Sequence, residues 1–168
     1  MIRKSLIVSA TAGAVLLSAS PALADDAGLY GTGDPTYDGV YRQSLSILAL
    51  QGTGRDVPKP ALRWLKRQQC ADGGFTAYRS DTRTACPAPD PVTFAGQDSN
   101  STALAVAALW HSGAKKKARK AASWLVARVN PDGGWAYYPA QAATSETNST
   151  AVVLAALRST GKKPSGKH

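Results

Sequence analysis

Groups that bind metals or carry out acid–base chemistry are scarce in this sequence. Its 168 residues include two histidines, His111 and His168, and two cysteines, Cys70 and Cys86, at a spacing that matches no zinc pattern. No metal and no cofactor is therefore expected. A Gly-x-Ser-x-Gly elbow, a glycine-rich phosphate loop and a His-Glu-x-x-His helix are all missing, which removes the reaction classes those motifs serve. Beyond the N-terminus the apolar runs are only about a dozen residues long. A bilayer-spanning helix needs roughly 20. Acidic side chains are also few, 11 against 20 lysines and arginines, for a formal charge of +9.

What is present begins with Arg3 and Lys4, a short apolar stretch from Leu6 to Leu17, and Ala22-Leu23-Ala24 ahead of Asp25-Asp26. That is the layout of a secretory signal peptide, so residues 1–24 are expected to be removed and the mature chain to be secreted. Residues 25–37 then form an N-terminal segment, 38–161 one repeat domain, and 162–168 a basic tail. Without Arg3 and Lys4 the charge is +7. Lys115, Lys116, Lys117, Arg119 and Lys120 concentrate part of it on one segment. This segment reads as a solvated outer helix face, with an anionic envelope surface as the alternative partner. No aromatics interleave with the lysines as base stacking requires, so no nucleic-acid partner is expected. In an exported chain Cys70 and Cys86 are expected to pair.

A block recurs at a spacing of 60 residues. Trp64-Leu65, followed by Asp72-Gly73-Gly74-Phe75, returns as Trp124-Leu125 and Asp132-Gly133-Gly134-Trp135. Alanine- and leucine-rich runs ending in Gly54, Gly113 and Gly161 precede the blocks, and the third run has no block after it. Such a period means stacked structural repeats. The runs Ala103 to Trp110 and Ala151 to Leu157 are apolar on all sides and are expected to be buried all round. In the first run Tyr41, Leu45, Leu48 and Ala49 form the helical stripe, widened by Ile47 and Leu50. Between them lie amphipathic basic helices, one with Pro60 at its first position and one from Lys115 to Val129 with Ala118, Ala121, Ala122, Leu125 and Val129 on one face. The order predicts an all-α protein of alternating inner and outer antiparallel helices. About two and a half hairpins make an arc and leave the ring open. Asp-Gly-Gly reads as a tight turn whose aromatic folds back on the helix end, and Gln69 as a side chain that reaches backbone groups of a neighbouring helix.

These residues carry a family resemblance. Gln69-x-x-x-Gly73-x-Phe75 after Trp64-Leu65 resembles the QW repeat of the squalene–hopene cyclase and prenyltransferase superfamily. Trp124-Leu125 with Gly133-x-Trp135 resembles a second copy, with Val129 where glutamine belongs. The resemblance implies an α/α toroid with inner helices around a central cavity. It also implies where an acid would sit. Terpenoid cyclases of this kind protonate an alkene with Asp-x-Asp-Asp-Thr-Ala at an inner helix start, and here that place reads Asp98-Ser99-Asn100-Ser101-Thr102-Ala103. An amide and a hydroxyl replace the central acids and cannot donate such a proton. The next inner helix repeats the pattern as Glu146-Thr147-Asn148-Ser149-Thr150-Ala151. Both stretches suit helix capping. The prenyltransferase zinc ligands and the complement-type thioester run are absent. Asn100 and Asn148 begin formal glycosylation sequons, discounted because of their place at buried helix starts.

No catalytic residue is therefore expected. Two functions stand beside each other. One is a non-catalytic domain binding a small hydrophobic ligand, or a protein or envelope partner, at the inner-helix rim. The candidate residues there are Asp98, Asn100, Ser101, Thr102, Asn148 and Thr150, with Trp110, Trp135, Tyr137 and Tyr138 nearby. The other is a fragment or subunit of a cyclase-like enzyme. Open repeat ends predict self-association or a protein partner.

Overall fold

The computed structural model describes residues 28–140 and 144–162. The predicted signal peptide, residues 25–27 and the tail beyond Lys162 lie outside them. Five helices carry the regular structure of the described residues: α1 (Gly39–Gly52), α2 (Lys59–Gln68), α3 (Ser99–His111), α4 (Lys115–Val126) and α5 (Thr147–Thr160). No strand forms among them. Two isolated bridges join Thr76 to Gln97 and Asp90 to Ala95. The protein is all-α, as its alanine-rich runs predict.

Helix α3 holds the middle, packed against α1, α4 and α5; α2 lies mainly on α1, and α4 also touches α5. Composition explains the placement. Ala103, Ala105, Val106, Ala108 and Leu109 of α3 are fully buried, and their small side chains let three helices approach one axis. The basic helices bury one face each, Ala61, Trp64, Leu65 and Gln68 in α2 and Ala118, Ala121, Ala122, Trp124 and Leu125 in α4. Fully buried Ile47, Leu65, Leu109, Leu125 and Leu157 contribute about 1.5–3 kcal/mol apiece. Helix α4 stops at Val126, so Val129 packs on the core from the following turn. Pro60 takes the second helical position of α2, after Lys59.

Two sequence expectations need correction. The buried face of α1 is Val40, Gln43, Ser44 and Ile47, whereas Leu45 of the expected stripe is 44% exposed and Ala49 faces solvent. A polar residue leads that face because Gln43 is fully satisfied. Its Oε1 accepts from Tyr30 N (2.8 Å), and its Nε2 donates to Gly28 O (2.7 Å) and Ala61 O (3.0 Å). Hydrogen bonding cancels the desolvation cost that apolarity scales charge to glutamine. Helix α5 is likewise not buried all round. Among the described helices it packs mainly on α3 and α4, and Leu154 stays 43% exposed while Val153, Ala156 and Leu157 are buried.

Helix ends follow local chemistry. Gly54, Gly113 and Gly161 adopt φ of 69°, 77° and 71°, the left-handed state that closes a helix at little steric cost. Arg55 N and Ala114 N then donate back to Leu50 O (2.8 Å) and Leu109 O (2.9 Å). Cys70 and Cys86 form a disulfide with Cα atoms 5.8 Å apart. A disulfide fits an oxidising compartment.

Candidate functional site

The helix N-termini are organised by one junction built twice. In the first copy Asp98 N donates to Phe75 O (2.9 Å) and Phe75 N to Thr102 Oγ1 (2.9 Å). In the second, Glu146 N donates to Trp135 O (2.9 Å) and Trp135 N to Thr150 Oγ1 (2.9 Å). Inside each turn Gly74 N donates to Asp72 Oδ1 (3.3 Å), and Gly134 N to Asp132 Oδ1 (3.0 Å). The aromatic folds back as expected: Phe75 and Trp135 are fully buried, and the Trp135 indole donates to Leu125 O at 2.8 Å. Gln69 donates to Gly73 O and to Lys117 O in the first turn of α4, both at 3.0 Å.

Asp98 is sealed at the start of α3. Its Oδ1 accepts from Ser101 N at 2.6 Å, capping the helix. Its Oδ2, with the nearby Ser99 Oγ and Asn100 Oδ1, is buried without a hydrogen-bond partner. Burial pushes the Asp98 carboxyl up to about 6, and the bonds to Ser101 only partly oppose this. Across the junction Ser99 N donates to Tyr137 O (2.8 Å). Burial, and then the Asp98 charge, hold the Tyr137 phenol above its ordinary value.

Above this junction an aromatic groove opens to solvent. It encloses about 310 Å³ between Tyr37, Thr76, Tyr78, Thr93, Phe94 and Tyr138. Asp90 closes the turn that carries Thr93, Phe94 and Ala95 of one wall, accepting from Val92 N (2.8 Å) and from Thr93 Oγ1 (2.5 Å), while Asp90 and Ala95 exchange backbone bonds. The closed turn thrusts Val92 and Phe94 outward, 82% and 75% exposed. Phe94 sits at φ 53°, a left-handed conformation rare for a bulky residue. Such strain costs about 1–3 kcal/mol and concentrates at binding sites. The Tyr138 hydroxyl donates to Phe94 O at 2.7 Å, and the two rings meet edge-on at 6.3 Å. Tyr137 lies tilted against Tyr138 at 4.7 Å. A larger cleft of about 560 Å³ beside the disulfide includes Arg79 and Arg83. Those cations are engaged: Arg79 donates to the carbonyls of Thr82 (2.9 Å) and Thr84 (2.5 Å), and Arg83 pairs with Asp81.

The structure brings together Asp98, Asn100, Ser101, Thr102, Trp135, Tyr137, Tyr138 and Thr150, but grades them by access. Asp98, Ser101, Thr102 and Trp135 are buried and act within the junction, while Asn100, Tyr137, Tyr138 and Thr150 are partly exposed and Asn148 is exposed. Trp110 does not belong to the rim. It sits at the far end of α3, about 18 Å along the helix from Asp98, with the Lys115 ammonium 3.8 Å from its ring centre. Sequence reading missed Tyr37, Tyr78 and Phe94: the loop carrying Phe94 has no counterpart in the second repeat, whereas Tyr78 lies 60 residues before Tyr138 and was legible from the repeat. Among the described residues no three His, Cys, Asp or Glu side chains gather as metal ligands, and no helix is long and apolar enough to cross a membrane. No protein family matches the sequence, and no curated protein matches it.

Proposed function

We propose that this chain is an exported, non-catalytic repeat domain of the squalene–hopene cyclase and prenyltransferase type, an arc of an α/α toroid that binds a small hydrophobic ligand at its helix N-terminal rim. Supporting the architecture is the junction repeated hydrogen bond for hydrogen bond at Phe75 and Trp135. The disulfide fits export. The observation that carries the binding role is Phe94, held outward in a strained conformation over an aromatic groove. Exposed apolar surface of this kind marks binding sites. Farnesol, a flexible apolar alcohol, is the probe: saturable quenching of tyrosine emission is the expected result. Phe94→Asn keeps the left-handed backbone and removes the ring. It is expected to weaken binding about tenfold or more without lowering Tm. Equal affinity in the variant, or no saturation, refutes the reading.

One observation favours a second reading, a fragment or subunit of a cyclase-like enzyme. Asp98 matches the outer acid of the cyclase motif, beside the two central positions, with its carboxyl raised to about 6. Against it, Asp98 has no exposed surface, and Asn100 and Ser101 carry no acidic proton able to protonate an alkene. Cyclised product from squalene or a polyprenyl diphosphate, lost in Asp98→Asn, would establish this reading instead.

A further inference from the structure

The two Asp-Gly-Gly turns differ in one respect. The first is occupied by a helix. Asp72 Oδ2 accepts from the Trp124 indole at 3.0 Å and pairs with Arg128 at 3.5 Å, and the guanidinium lies 4.0 Å from the Trp124 ring centre. The Lys120 ammonium donates to Ala71 O. The backbone of Gly73 lies so close to α4 that a Cβ there would be 2.7 Å from Lys120 O. The second turn has the same inner wiring. Asp132 Oδ1 accepts from Ser145 Oγ at 2.7 Å, as Asp72 Oδ1 accepts from Gln97 Nε2 at 2.5 Å. Among the described residues its outer side is bare: the side-chain hydrogen bonds of Asp132 end on Oδ1, and a Cβ on Gly133 would meet no described atom within 4 Å. The helix behind it is bare too. Ala103 and Val106 of α3 are fully buried, whereas their counterparts at the 48-residue offset, Ala151 and Leu154 of α5, are exposed.

We propose that the second turn and the open face of α5 form a docking socket for a helix of a partner protein carrying tryptophan and arginine four residues apart, whose indole N–H and guanidinium meet Asp132 Oδ2. The occupied first turn is the template for that chemistry, and the carboxylate supplies the charge complement. Hydrogen bonds from Ser145 and Gly134 hold the Asp132 carboxyl below the usual range, so it is ionised at neutral pH.

None of residues 1–168 supplies the occupant. Residues 1–27, 141–143 and 163–168 contain no tryptophan. Trp124 is engaged by Asp72, and Trp135 is buried. Trp110 has Ala114 four residues on, and Trp64 has Gln68. The matching face of α2 in a second copy is already covered, because Gly28 packs on the Pro60 carbonyl as Gly73 packs on that of Lys120.

The probe is a synthetic peptide of residues 114–128, titrated into the ¹⁵N-labelled chain. Expected are saturable shifts at residues 130–134 and 145 and along α5. Asp132→Asn, or phenylalanine for tryptophan in the peptide, is expected to weaken binding about tenfold. Asp132 is exposed, so Asp132→Asn leaves the fold intact. Shifts at residues 71–74 instead, equal affinity of both variants, or no saturation overturns the proposal. So does self-association of the chain alone that Asp132→Asn abolishes, which would give the socket to a second copy. Farnesol binding does not involve Asp132, so either result stands without the other.

Discussion

Replacing Asp98 by asparagine is expected to stabilise the protein at neutral pH. The folded carboxyl is raised to about 6 from an ordinary value of 3.8, chiefly because it is buried. A raised carboxyl binds its proton more tightly in the folded state, so stability falls as pH rises from about 4 to about 6. Below that window the buried group is neutral in the fold and carries no penalty. Above it the full difference, about 3 kcal/mol, is a cost of keeping the charge buried. Asparagine retains an oxygen to accept from Ser101 N, now at 2.6 Å. The change also removes the charge from Oδ2, which is buried without a hydrogen-bond partner. The variant forgoes the favourable charge at a helix N-terminus, worth about 0.3–1 kcal/mol. The net expectation is about 2 kcal/mol of added stability at pH 7.5 and almost none at pH 4. Urea unfolding of both proteins at the two pH values measures this. A variant less stable at pH 7.5, or a difference that does not change with pH, would refute the assignment of Asp98 as a sealed, unpaired acid.

Three other outcomes follow from the same physics. Replacing Cys70 and Cys86 together by alanine opens a loop of sequence separation 16 and is expected to cost about 3 kcal/mol, read by chemical denaturation. Gly73→Ala and Gly133→Ala should separate: both have positive φ, but only Gly73 lies against a helix backbone. Gly133→Ala is expected to cost about 1–2 kcal/mol and Gly73→Ala clearly more, compared by thermal unfolding. Gln43→Leu leaves Tyr30 N and the carbonyls of Gly28 and Ala61 without their partner, so it should lose about 2–4 kcal/mol despite being the more apolar residue.

The sequence made the helices legible because its signals are local. Alanine-rich runs ending in glycine gave α1, α3 and α5, and periodic apolar positions gave the faces of α2 and α4. The repeat gave the turns and the folding back of Phe75 and Trp135. Positions decided by partners distant in sequence were not legible. Gln43 reads as a surface residue until Gly28 and Ala61 are placed beside it. The exposure of Leu154 depends on which neighbours α5 has, and composition alone makes it indistinguishable from buried Val106. Asp72 and Asp132 read only as turn residues, because their hydrogen bonds to the next helix span 52 residues in the occupied case. In the candidate site, Asp98, Tyr137 and Tyr138 were marked by position in the repeat. Phe94 was not, because the turn that exposes it interrupts the period.

The repeat rests on one junction used twice, and amide hydrogen exchange tests it most directly. Phe75 N and Trp135 N, which donate to threonine hydroxyls, and Asp98 N and Glu146 N, which donate to the turn carbonyls, should all be protected. Protection of Phe75 and Asp98 beside free exchange of Trp135 and Glu146 would contradict the repeat, and with it both the rim and the socket.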